Sequence, residues 1–69
     1  MDKWILVEYR LPENGIEVLA AFVGWDDIIF QRTLEYDNEG EEWFDWNGQE
    51  YSKVIAWQPL PSYNNLKAY

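Results

Sequence analysis

The chain has 69 residues, with five Lys+Arg against thirteen Asp+Glu and a formal charge of −8. It holds neither His nor Cys, which excludes disulfides, Cys/His metal sites, a thiol nucleophile and an imidazole base. A hydrophobic share of 48% against 26% charged fits a folded domain, and no apolar run reaches the roughly 20 residues that cross a bilayer.

In chain order, Trp4-Ile5-Leu6-Val7 is a short apolar run that ends at Glu8-Tyr9-Arg10. Leu11-Pro12-Glu13-Asn14-Gly15 then breaks the chain, because Pro12 fixes its own φ and Asn14-Gly15 suits a tight turn with positive φ. Residues 16–23 are mostly apolar, and eight residues bounded by Gly15 and Gly24 fit a buried strand better than a helix. After the turn Gly24-Trp25-Asp26-Asp27, Ile28, Phe30, Leu34 and Tyr36 share one parity, interrupted by Arg32. That pattern predicts a strand with one buried and one solvated face. Asp37-Asn38-Glu39-Gly40 reads as a hairpin loop with Gly40 in the left-handed position, and residues 41–46 as the next strand. Asn47-Gly48 is the strongest two-residue hairpin signal, residues 49–58 form the return strand, and Pro59-Leu60-Pro61 stops it. Residues 62–69 show little periodicity and read as a loose tail.

The expectation is one all-β domain over residues 1–69: a four-stranded antiparallel meander with an N-terminal extended segment. Apolar residues on both parities of residues 16–23 and 54–57 suggest a closed or half-closed barrel, or a sheet whose second face meets another subunit. A core this small rarely supplies more than about 3–5 kcal/mol unaided. Five Trp, five Tyr and three Phe offset that deficit, since large rings bury more area than aliphatic side chains. So small a body cannot hide every ring, so some belong to the surface or to an interface.

Three stretches carry a recognisable pattern: Trp4-Ile5-Leu6-Val7; Leu11-Pro12-Glu13-Asn14-Gly15 with Val18-Leu19; and Ile55-Ala56-Trp57-Gln58-Pro59-Leu60-Pro61. Together they resemble the domain-of-unknown-function family 551, found largely in phage and prophage genes. The resemblance spans residues 4–61 and departs at Ala56, where family members often have His or Thr. It implies a phage or mobile-element origin, a small β domain, and no catalytic residues to carry over. A physical role for the shared residues is that prolines rigidify the segments beside Trp4 and Trp57, letting the indoles pack on prolines or on each other.

Catalysis finds little support, and the chain is read as a non-enzyme without cofactors. Ser52, Ser62 and Thr33 have no His to activate them, and Lys53 beside Ser52 points to the opposite face of a strand. Asp26-Asp27 and residues 37–42 are oxygen-rich, but Glu42 stands where a calcium loop needs glycine, so no metal site is assigned.

The charge is unevenly placed. Seven acids lie from Glu35 to Glu50, with no Lys or Arg among them. Such an array repels nucleic acid and attracts a basic protein surface. Within it sits Trp43-Phe44-Asp45-Trp46, with Trp43 and Asp45 on one strand face and Phe44 and Trp46 on the other. Glu41, Glu42, Trp43, Asp45 and Trp46 are therefore the candidate partner-binding residues, in an acidic and aromatic hairpin suited to counter-defence or host takeover. The alternative is a homo-oligomer that sequesters a nucleotide-like ligand between subunits, with Arg10, Arg32, Trp25 and Lys53 as its residues. In either case a cytoplasmic location in a host cell is expected, without membrane or direct nucleic-acid partners.

Overall fold

The computed structural model describes residues 3–60. They form one six-stranded antiparallel sheet: β1 (Ile5–Leu6), β2 (Glu17–Val23), β3 (Ile29–Asp37), β4 (Glu42–Phe44), β5 (Glu50–Tyr51) and β6 (Val54–Pro59). The all-β antiparallel expectation holds, and the strand expected over residues 16–23 is β2. The loose tail expected over residues 62–69 lies outside the described residues.

The topology corrects the simple meander. Strand order is β1-β6-β2-β3-β4-β5, so β6 returns to lie between β1 and β2. The expected return strand over residues 49–58 is broken in two at Ser52-Lys53, where Lys53 takes a left-handed φ of 61°. That break lets the chain leave one sheet edge and pair near the other. In a flat sheet β5 and β6 would stand four strand spacings apart, about 19 Å. Three Cα steps from Tyr51 to Val54 span at most about 11 Å, so the sheet must curl. Phe22 on β2 and Tyr51 on β5 accordingly meet inside the curl, with ring centroids 5.0 Å apart. Among the described residues β5 and β6 share no ladder, so the sheet curls without closing.

The concave face holds the core. Val18, Ala20, Leu34, Tyr36, Trp43, Val54 and Trp57 are buried, with Ile5, Val7, Phe22 and Tyr51 packed against them. The alternation read in β3 is correct for Leu34 and Tyr36, which are buried between exposed or half-buried neighbours. Leu34 pairs with Val18 across the ladder, so both reach the same face. In β6 the alternation fails: Val54 and Trp57 both face the core because a register shift opposite Ala21/Phe22 inserts one residue.

Turn chemistry follows the sequence in part. Gly15 (φ 78°) and Gly48 (φ 85°) take positive φ as their Asn-Gly dipeptides suggest. Asn47-Gly48 is not a two-residue turn, however. Asp45 N–H donates to the Gln49 carbonyl at 3.0 Å and Gly48 N–H to the Asp45 carbonyl at 2.9 Å, enclosing a loop of Trp46, Asn47 and Gly48. In the β3–β4 loop the left-handed residue is Glu41 (φ 56°) rather than Gly40.

Trp57 and Trp4 do not pack on each other. Trp57 faces the core beside Pro12 and Pro59, whereas Trp4 lies on the outer face near Ala21, Ile29 and Ala56.

Candidate functional site

Two surfaces stand out, and register alone builds the first. Glu17 is directly opposite Glu35 across β2–β3, and Asp37 is directly opposite Glu42 across β3–β4. Glu35 and Glu50 are both opposite Phe44, from its two neighbouring strands. All five carboxylates therefore share the outer face with half-buried Phe44, while Tyr36, Trp43 and Tyr51 point the other way into the core. No Lys or Arg takes an outward position on β2–β5 to neutralise them. The Glu42 carboxyl is raised above the usual range, mainly by the charge of Glu50, with partial desolvation and Asp37 adding to it.

The expected partner-binding residues divide. Glu42 lies in the outer acidic array, and Glu41 is exposed in the loop before it. Trp46, at the tip of the β4–β5 turn, is 82% exposed and presents most of an indole to solvent. Trp43 is corrected: only 7% exposed, it packs on Tyr36 with centroids 5.0 Å apart and serves the core. Asp45 is occupied as well. Its carboxylate accepts from the N–H groups of Asn47 (2.9 Å) and Gln49 (3.0 Å) and from the Tyr51 hydroxyl (2.9 Å). Partial desolvation pulls its pKa up, but those three hydrogen bonds and the Arg32 charge outweigh it and hold the carboxyl low. The Tyr51 hydroxyl is pushed up, first by burial and then by its bond to Asp45. Asp45 is thus the clamp of its turn.

The second surface is an aromatic groove at the β2–β3 end of the curl. It measures about 230 Å³ and is lined by Phe22, Gly24, Trp25, Phe30, Arg32 and Tyr51. Phe22 stacks on Phe30 at 5.8 Å, and Tyr51 meets Phe22 edge-on. A Cβ on Gly24 would stand 2.5 Å from the Phe30 ring, so glycine is what lets that ring lie against the backbone. The Arg32 guanidinium sits over the Tyr51 ring, 5.8 Å from its centroid. Arg32 is exposed, so the cation that interrupts the β3 apolar parity needs no buried partner.

Within one chain the four residues of the alternative ligand reading lie on separate surfaces. Trp25 and Arg32 share the aromatic groove. Arg10 lines a separate groove of about 450 Å³ with Lys3, Trp4, Ile5, Leu6 and Tyr9, and Lys53 is exposed in the β5–β6 link. Among the described residues no group of three acids stands close enough to hold a metal ion. Phe22, Phe30 and Tyr51 were not among the expected site residues, and only the curl brings their three rings together in a groove. Glu17 was equally hidden, since only the β2–β3 register aligns it with Glu35.

A family model described as "Protein of unknown function (DUF551)" matches residues 3–63, and the chain belongs to that family. No curated protein and no solved structure matches the chain.

Proposed function

We propose that this DUF551 chain is a non-catalytic binding protein whose acidic outer face engages a basic surface on another protein. The observation that carries the reading is the facing of like charges, Glu17 against Glu35 and Asp37 against Glu42, with no compensating cation in the array. Directly opposed like charges destabilise a sheet, so the array costs the fold something that a basic partner would return. Phe44 at its centre and the exposed indole of Trp46 at its end supply the aromatic contact on which such interfaces concentrate their energy. In a phage or mobile-element setting, a counter-defence or host-takeover factor would act in this way.

The test is capture of host-lysate proteins by the immobilised chain, compared with the triple variant Glu35→Gln, Asp37→Asn, Glu42→Gln. The reading expects discrete partners whose capture falls steeply with salt and is lost in the triple variant while the fold is kept. Equal capture by both chains, or capture insensitive to salt, overturns it.

A further inference from the structure

We propose that the aromatic groove between β2, β3 and β5 is a docking site for an extended, proline-rich peptide segment flanked by basic residues. The groove is separate from the acidic face, so either reading can fail alone.

Three observations carry the proposal. The first is pre-organisation. Two consecutive non-glycine residues, Asp26 (φ 51°) and Asp27 (φ 59°), hold the left-handed conformation immediately after Trp25, an arrangement that costs free energy and gives the core nothing, since none of residues 25–27 is buried. The loop is closed by Gly24 N–H to the Ile28 carbonyl (2.8 Å) and Ile28 N–H to the Trp25 carbonyl (2.9 Å). What the loop achieves is to hold an indole that is 80% exposed at the rim of a groove already walled by Phe22, Phe30 and Tyr51.

The second is the chemistry of the lining. Its side chains offer ring faces and donors, the Arg32 guanidinium and the Trp25 indole N–H, but no carboxylate or amide oxygen. Its one hydroxyl, on Tyr51, already donates to Asp45. The complement of rings and donors is a chain that presents rings and carbonyl acceptors without backbone N–H groups, which is polyproline. A polyproline helix has no internal hydrogen bonds, so its carbonyls are free to accept, and it reaches an aromatic groove with little ordering entropy left to lose.

The third is size and charge. An open groove of about 230 Å³ is smaller than the roughly 300–1,000 Å³ clefts that enclose small ligands, and suits a few rings of a longer chain laid across it. Exposed Asp26 and Asp27 adjoin Trp25 at the rim on a chain of formal charge −8, which favours Lys or Arg beside the prolines, while Arg32 within the groove is left to meet the peptide's carbonyls.

The test titrates the full chain with a blocked oligoproline peptide ending in two arginines, followed through the Trp25 indole N–H and the amides of Phe22, Phe30 and Tyr51 in ¹H–¹⁵N spectra. An equally charged peptide with alanine for proline, and adenosine monophosphate, serve as rivals. Saturable shifts confined to these residues are expected with the proline peptide, with affinity weakened about tenfold or more in Trp25→Ala at unchanged thermal midpoint. Binding of the alanine peptide to the same extent, preference for the nucleotide, no saturable shift, or full affinity in Trp25→Ala would each overturn the proposal.

Discussion

The indole N–H of Trp57 donates to the backbone carbonyl of Arg10 at 2.9 Å, tying β6 to a segment 47 residues earlier in the chain. The Arg10 guanidinium lies over the same indole, 5.7 Å from its centroid. The bond fastens the turn after β1 to the buried ring that β6 presents to the core. Trp57→Phe keeps a ring there but removes the donor and part of the volume. A loss of about 1–2 kcal/mol in urea unfolding is expected. A midpoint equal to wild type would show that the bond carries no weight.

Gly24→Ala separates the groove from the fold. At Gly24 φ is negative (−114°), and the cost of a side chain comes from the Phe30 ring, which must swing off the backbone and off Phe22. Because Phe30 is 39% exposed, it has room to move, and stability should fall by only about 1 kcal/mol. The near-UV circular dichroism of the stacked rings should change clearly. An unchanged aromatic spectrum would contradict the close approach.

Asp45→Ala removes the acceptor of three hydrogen bonds at once and is expected to lower the urea midpoint, with loss of amide protection at Asn47 and Gln49. Asp45→Asn keeps one acceptor oxygen and should recover part of the loss. Equal hydrogen exchange in all three chains would refute the clamp.

Glu35→Lys places a cation directly opposite Glu17 and beside Glu42, converting a repulsive pair into an attractive one. The thermal midpoint should rise, by an amount corresponding to a few tenths to about 1 kcal/mol. A lower midpoint would mean that the carboxylates are not in register as described.

Two carboxyls give the pH dependence opposite signs. Glu42 binds its proton more tightly in the fold, because of Glu50, so stability increases as pH falls from neutral through its raised pKa. Asp45 binds its proton less tightly in the fold. Its contribution is complete above the unfolded carboxyl pKa and disappears as pH falls through the lowered folded value. Urea midpoints measured against pH should therefore pass through a maximum on the acid side of neutrality. Glu50→Gln should flatten the limb above that maximum and leave the acid limb in place; a profile unaltered by it would exclude the Glu42–Glu50 coupling.

Legibility in the sequence tracked the range of the interaction that decides each feature. The alternation of Leu34 and Tyr36 with polar neighbours is written within β3, and so is the left-handed demand met by Gly15 and Gly48. The cluster Trp43-Phe44-Asp45-Trp46 could not be sorted in the same way. Parity separated Trp43 from Phe44 without saying which faces the core, and because β4 ends at Phe44 it does not extend to Trp46, which the following turn turns outward. The break at Lys53 was hidden because lysine carries no preference for positive φ, and it is the crossing to β2 that imposes it.

Composition and local pattern by themselves determined a small β domain, rich in rings, strongly acidic and without the groups of thiol or imidazole chemistry. They also determined which stretches extend and where several of the turns fall, because strand alternation and glycine φ depend on near neighbours. Only the tertiary structure decided that β6 lies between β1 and β2, that the sheet curls, and which indoles face water. Those outcomes depend on strand register and on a short link bridging distant strands, and contacts across the whole chain set both.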